Sequence, residues 1–499
     1  MIQPETSNTR HTIPRWNAIN TSVVLGEMDS YTIMPKILNQ SRKSDLELLL
    51  DEWDHNQSLP LAVEIVSANR FIESNIDISN VLQFIANLES SGTKLPALVK
   101  DLIVEEGDST VERILPLNYR ENINKTKKAL AQFPRNPLMW SELGREYLVS
   151  GEIKKSEKAL HIALNLAPNN RTIVRAVARL YIHTGDLDKA RYYLDNCDLV
   201  NVDPWVLASE IALLNQMKKS SRLIKRGREM LLNQSYSPLA LSELASELST
   251  MDFASGNSKQ GKRKLQIVQN HLHENAYAQL IWVSKNVYNL SPLIAEVPSP
   301  SCNFEAIAKS NYFMGKWDKA FQYAGKWLEY QPFSRKPALL GSYIAADLIG
   351  DIKKAYDAIY CGLKSNPNDS AIVNNYIYIS ILMNDFSTAQ SYMKKASAQF
   401  DISADVLLTA TNGLLLYRTG HPEAGLAKYK EAIAIANRQN NDVLQCKAVI
   451  YLAREEKRIG HDISSWIRYI NKYSKESFFS DCIPLLDAFN LLDGHLDFL

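Results

Sequence analysis

Residues that stop helices recur along this chain at a spacing near 34. Gly151 and Gly185 are 34 residues apart, and Gly315, Gly350, Asn384, Gly420 and Gly460 follow one another at steps of 35, 34, 36 and 40. Most precede a polar and then an apolar residue, as in Gly151-Glu152-Ile153, Gly185-Asp186-Leu187, Gly350-Asp351-Ile352 and Asn384-Asp385-Phe386. Glycine and asparagine tolerate the left-handed backbone that ends a helix, so each marks a turn after which a new helix opens. A helix-turn-helix of fixed length cannot bury its apolar face alone and must stack on its neighbours. The result is an open array. The length of 499 residues agrees with this, because single cores stop growing near roughly 250–300 residues.

Between the stops the apolar residues keep helical periodicity, not strand alternation. From Pro137 to Asn170, Trp140, Leu143, Gly144 and Tyr147 share a face of a first helix, Ser156, Leu160 and Ala163 share a face of a second, and Pro168 closes the unit. The next unit repeats this with Val174, Val177, Ala178 and Tyr181, then Ala190, Leu194 and Cys197. Small residues such as Gly144, Ala178, Ala190, Ala320, Ala355 and Ala389 let paired helices approach closely.

On these residues the chain resembles the tetratricopeptide repeat family, including bacterial members. The match covers units 137–170 and 171–203 of an array over 121–203, and units 301–335, 336–369, 370–405 and 406–440 of a second array over 301–445. The resemblance implies an all-α, right-handed solenoid of stacked hairpins that works as a non-enzymatic scaffold. Residues 204–300 are read as degenerate hairpins with a polar insertion at Asp252–Gly261 and a proline-rich joint at Leu290–Ser301. Residues 1–30 are read as an arm anchored by Trp16, 31–120 as a divergent helical domain or cap, and 446–499 as a C-terminal cap. Within 31–120, helices are expected at 44–54, 60–73, 78–90 and 96–106, with Asp77 and Ser79 as candidate caps of the third.

A formal net charge of +1 gives no global field toward nucleic acid or membrane. The polar N-terminus and the lack of an apolar run near ~20 residues point to a cytoplasmic chain without membrane insertion. The five cysteines (Cys197, Cys302, Cys361, Cys446 and Cys482) include no CxxC pair, so reduced thiols are expected. Gly256 to Lys262 has the spacing of a phosphate-binding loop, but Arg263 stands where Ser or Thr is required. His271 and His273 would diverge on a helix. No catalytic residue, cofactor or metal site is expected.

By the family's groove positions, the first array would present Ser141, Arg145, Arg175, Arg179 and His183, a basic set suited to carboxylates or phosphates. The second would present Lys309, Tyr312, Phe313, Ile344, Tyr378, Ile381 and Tyr417, suited to an amphipathic helix or apolar peptide, or else packed against neighbouring hairpins. A third feature is the cluster of Lys218, Lys219, Arg222, Lys225, Arg226 and Arg228, followed by Lys259, Lys262, Arg263 and Lys264. It suits acidic or phosphate contacts. The partner expected first is another protein, as a peptide, a helix or a larger subunit. The alternatives are a regulatory role beside an effector such as a nuclease, by family analogy, and nucleic-acid binding through the 218–264 cluster.

Overall fold

The computed structural model describes Met1 and residues 10–18, 45–55, 57–72, 77–90, 119–233, 236–287 and 303–491. Near the start, α1 (Asp45–Trp53), α2 (Leu59–Ile72) and α3 (Ser79–Ser90) share a small core around Trp53, Ile65, Val81 and Ile85. Asp77 opens α3 by accepting a 2.9 Å bond from the Ser79 amide. The helix expected at 96–106 and the joint at 290–301, with Cys302, lie outside the described residues.

From α4 (Tyr119–Gln132) onward the chain is a run of helical hairpins. They pair α5 (Pro137–Val149) with α6 (Ile153–Leu166), α7 (Arg171–Thr184) with α8 (Leu187–Asp195), α9 (Pro204–Gln216) with α10 (Ile224–Leu232), and α11 (Pro238–Ala254) with α12 (Ser258–Val268). After α13 (Glu274–Asn286), α14 (Phe304–Phe313) pairs with α15 (Trp317–Tyr330) and α16 (Arg335–Tyr343) with α17 (Ile352–Ser365). Then α18 (Ser370–Leu382) pairs with α19 (Phe386–Gln399) and α20 (Val406–Arg418) with α21 (Pro422–Arg438), before α22 (Asp442–Arg458), α23 (Ser464–Asn471) and α24 (Ile483–Ala488) close the chain. No strand occurs among the described residues.

Local chemistry sets these boundaries. First helices open on Asn136, Asn170, Asp203, Ser237, Asp369, Asp405 and Asn441, whose side chains accept from amides in the first turn. The turns between paired helices take positive φ at Gly151, Gly185, Gly315, Gly350, Asn384 and Gly420, as the spacing requires. The hairpin rhythm also persists through residues 204–268. Lys218 sits at φ 57° and Gly256 at φ 81° in the turns after α9 and α11. The stretch 252–261 is therefore a short turn at 255–257 flanked by helix, and the polar insertion expected there is absent. Asp252 there is buried, and the exposed polar residues are those of the turn and of the first residues of α12. Gly261 is buried inside α12, where a Cβ would come within 2.8 Å of the Phe253 ring.

Outer and inner helices are buried differently. In the outer helix α12 the buried residues are Gly261, Leu265 and Val268, a single stripe. In the inner helix α11 residues 240–250 are buried without a break, including Glu243 and Glu247. A helix buried on every side needs something against each side, and here that includes a length of the chain's own polypeptide. The array also curls until its early hairpins meet its later ones. His183 of α7 donates from Nε2 to the Ser365 carbonyl at 3.0 Å, and a Cβ on Gly151 would fall 2.5 Å from the Lys364 carbonyl oxygen.

Candidate functional site

Inside the curl, the inner helices α11, α13 and α14 present carboxylates to a common trough. Glu243, Glu247, Glu274 and Glu305 are all buried, at 0, 0, 1 and 4% exposure. Moving unpaired carboxylates out of water is costly, so each must be met by donors or cations. Two of the cations come from the array itself. Arg175 Nη2 donates to Glu243 Oε2 at 2.6 Å, and Lys309 Nζ donates to Glu305 Oε1 at 2.8 Å.

The rest come from residues 10–17, laid along the trough as an extended segment. Arg10 is 5% exposed. Its guanidinium reaches Glu305 Oε1 and Oε2 at 3.1 and 3.0 Å, Gln279 Oε1 at 2.7 Å, and the Asn275 carbonyl and Oδ1 at 3.2 and 2.9 Å. Arg15 donates to Glu274 Oε1 at 3.0 Å and Glu305 Oε2 at 2.7 Å. Glu247 accepts from the Thr12 amide and hydroxyl at 2.8 and 2.9 Å, lies 3.0 Å from His11 Nδ1, and accepts from Asn215 Nδ2 at 2.8 Å. The segment's backbone is read as well. Gln279 Nε2 donates to the Arg10 carbonyl at 2.7 Å, and Asn275 Nδ2 donates to the Ile13 carbonyl at 3.0 Å. Trp16, 2% exposed, packs on Phe333 with ring centroids 5.8 Å apart. Asn17 Nδ2 closes the run on Tyr330 Oη at 2.7 Å.

These contacts set the charge states. Burial alone would push the Glu305 carboxyl up, but Arg10, Lys309 and Arg15 outweigh it and hold it well below the usual carboxylate range. Glu247 is likewise lowered against its burial by His11, the Thr12 amide and Asn215. Burial would lower Arg15, yet Glu274 and Glu305 raise it above its ordinary value. The trough is an anion-lined track whose full neutralisation needs cations from the segment within it.

The residues expected in the first groove are engaged inside the protein, not presented as an open basic surface. Arg145 Nε sits 3.0 Å from Glu142 Oε1, and Arg175 joins Glu243 and lies 4.8 Å from the Trp205 ring centre. Arg179 stacks 4.9 Å from the Phe333 ring centre. His183 is driven down to about 4 by burial and by Arg179. Ser141 is fully buried. Of the second-array set, Ile344, Tyr378, Ile381 and Tyr417 belong to the hydrophobic core, which is the packed placement. Tyr378 donates to buried Asp347 Oδ1 at 2.5 Å, and Tyr417 hydrogen-bonds Glu456. Tyr312 is partly buried against Trp317 and Tyr343, Phe313 is 46% exposed, and Lys309 serves Glu305. Lys218, Lys219, Arg222, Lys225, Arg226, Arg228, Lys259, Lys262 and Arg263 are exposed, whereas Lys264 pairs with Asp252. Most of this cluster lies on α10 and α12, outer helices that face away from the trough. Sequence reasoning passed over Glu243, Glu247, Glu274 and Glu305. The available signal was a set of inner-helix carboxylates at buried positions, with Glu243 and Glu247 one turn apart.

Beside the segment a cavity of about 520 Å³ opens, bordered by Arg10, Arg15, Arg179, His183, Arg335 and Asp369. Among the described residues no helix is long and apolar enough to cross a membrane.

Stacked hairpins around an internal trough define an all-α helical-repeat array. No family model matches the chain, and no curated protein matches it. Solved structures are similar to it only in general form. The human IFIT1 dimer with PPP-AAAA is 16% identical over 75% of this chain and 94% of its own, with a TM-score of 0.36. Yeast Tom70 is 14% identical over 74% and 91%, with a TM-score of 0.28. A tetratricopeptide repeat protein from Parabacteroides merdae is 12% identical over 66% and 98%, with a TM-score of 0.25.

Proposed function

We propose that this protein is a non-enzymatic adaptor that holds a segment of a partner protein in the trough formed by α11, α13 and α14. The observation that carries the reading is the trough's present content. An extended stretch of polypeptide is held there by charged anchors, backbone hydrogen bonds and one buried indole, so the surface already fits a peptide. The carboxylates sit on rigid helices and so act as fixed acceptors. A regulatory subunit that restrains an effector would use the same surface.

Affinity capture with the intact chain and with Glu274→Gln/Glu305→Gln tests this. Partner proteins held by the wild type should be lost from the variant and retained by a control changed at the exposed Phe313→Ala. If every captured protein stays on the trough variant, the trough is not the docking site. A second reading is phosphate contact through Lys218, Lys219, Arg222, Lys225, Arg226, Lys262 and Arg263, supported by their shared exposure on α10, on α12 and in the turn before α10. An affinity for RNA or DNA that does not fall with added salt would remove it.

A further inference from the structure

We propose that residues 10–17 are a displaceable internal occupant, and that the trough takes an extended partner segment with two arginines five residues apart and an aromatic residue directly after the second. This rests on the adaptor reading and adds the chemistry of the partner and the means by which access is controlled.

The array supplies four buried carboxylates to the trough but pairs two of them from its own helices, through Arg175 and Lys309. Among the described residues Glu274 is hydrogen-bonded by Arg15 and Asn17 alone, and its Oε2 has no hydrogen-bond partner. Glu247 would keep the neutral amide of Asn215. The trough is therefore left charge-deficient when residues 10–17 depart, and it accepts in exchange only a segment that restores cations at the same places. An acidic or purely apolar segment would bury Glu274 and Glu247 unpaired, which is rejection by an uncompensated charge. The spacing follows from the contacts. Arg10 spans Glu305, Asn275 and Gln279, Arg15 bridges Glu274 and Glu305, and Trp16 fills the gap beside Phe333. The occupant belongs to the same chain, so its docking is intramolecular and a partner competes against a high effective concentration. A partner must then outcompete it, and apparent affinity scales with the fraction of chains whose trough is open.

The test uses a fluorescent peptide of residues 10–18 (RHTIPRWNA) and the full-length chain. Arg10→Glu/Arg15→Glu, which loosens the internal segment, should bind the peptide at least about tenfold more tightly than wild type. Adding Glu274→Gln/Glu305→Gln to that chain should abolish the gain. Hydrogen exchange of the wild type under excess peptide provides a measurement free of folding concerns, since the Thr12 amide should lose protection as the peptide replaces it. Equal affinity for both chains, peptide binding without deprotection of Thr12, or no peptide binding at all overturns the proposal. A solution dimer that the peptide splits would also overturn it, by assigning the trough to a second copy. Partner proteins captured through the trough while the peptide fails would end this proposal and leave the adaptor reading standing. Peptide exchange with no captured partner would leave residues 10–17 as a displaceable occupant but remove the adaptor reading, and with it the partner segment proposed here.

Discussion

Replacing Glu305 by glutamine removes a charge on which Arg10 and Arg15 both converge, at 3.0 and 2.7 Å from its Oε2. Deleting one partner from a buried, hydrogen-bonded ion pair costs about 3–5 kcal/mol. Glutamine keeps one acceptor oxygen, and Arg15 retains Glu274, so the low end applies and docking of residues 10–17 should weaken by about 3 kcal/mol. At a factor of ten per ~1.4 kcal/mol, the undocked population rises on the order of a hundredfold. Trypsin reads that population directly, because the bonds after Arg10 and Arg15 are its targets and both side chains are shielded, at 5 and 7% exposure. When reclosing is faster than cleavage, the cleavage rate tracks the open fraction. Under native conditions Glu305→Gln should therefore be cut at these two bonds about a hundredfold faster than wild type, with an unchanged helical circular dichroism signal. A change below about threefold in a folded variant would refute the claim that the carboxylate holds the segment.

Three further outcomes follow from the same geometry. Gly151 and Gly185 both take positive φ, at 78° and 82°, but a Cβ meets the Lys364 carbonyl at 2.5 Å in the first case and nothing within 4 Å in the second. Gly185→Ala should lose about 1–2 kcal/mol of stability in urea unfolding from backbone strain alone, and Gly151→Ala clearly more; equal losses would show that the closure between early and late hairpins bears no load. Glu247 and Glu305 are held below their ordinary value of 4.5. Their contribution is complete above that pH and fades as pH falls toward the lowered values, so Thr12 amide protection should stay flat from neutrality down to that value and be lost only below it. Glu146 behaves oppositely. Burial, with Glu142 beside it, raises its carboxyl from 4.5 to about 7, so its contribution should decline as pH rises from 4.5 to about 7 and level off above, and Glu146→Gln should flatten that slope in pH-dependent thermal melts.

The hairpins were legible because their signals are local. A glycine or asparagine that must take positive φ at Gly151, Gly350 or Asn384, and a capping side chain at Asn136, Asn170 or Asp369, act within one turn of their own position. Where the local signal was weaker, at Lys218, the phase looked lost although the turn has the same conformation. Neighbouring hairpins supplied the packing that offsets a lysine in the left-handed region.

The amino-acid order by itself determined the helices, their stops and the seam on which they stack. It did not determine what the trough contains. Arg175 reads as a free groove cation until folding brings Glu243, 68 residues away, to its guanidinium. Arg10 reads as part of a polar tail until Glu305, 295 residues away, accepts its hydrogen bonds. Hydrogen bonds and ion pairs act over a few ångströms of space whatever the separation along the chain. Which charges meet is therefore decided only when the array has curled closed.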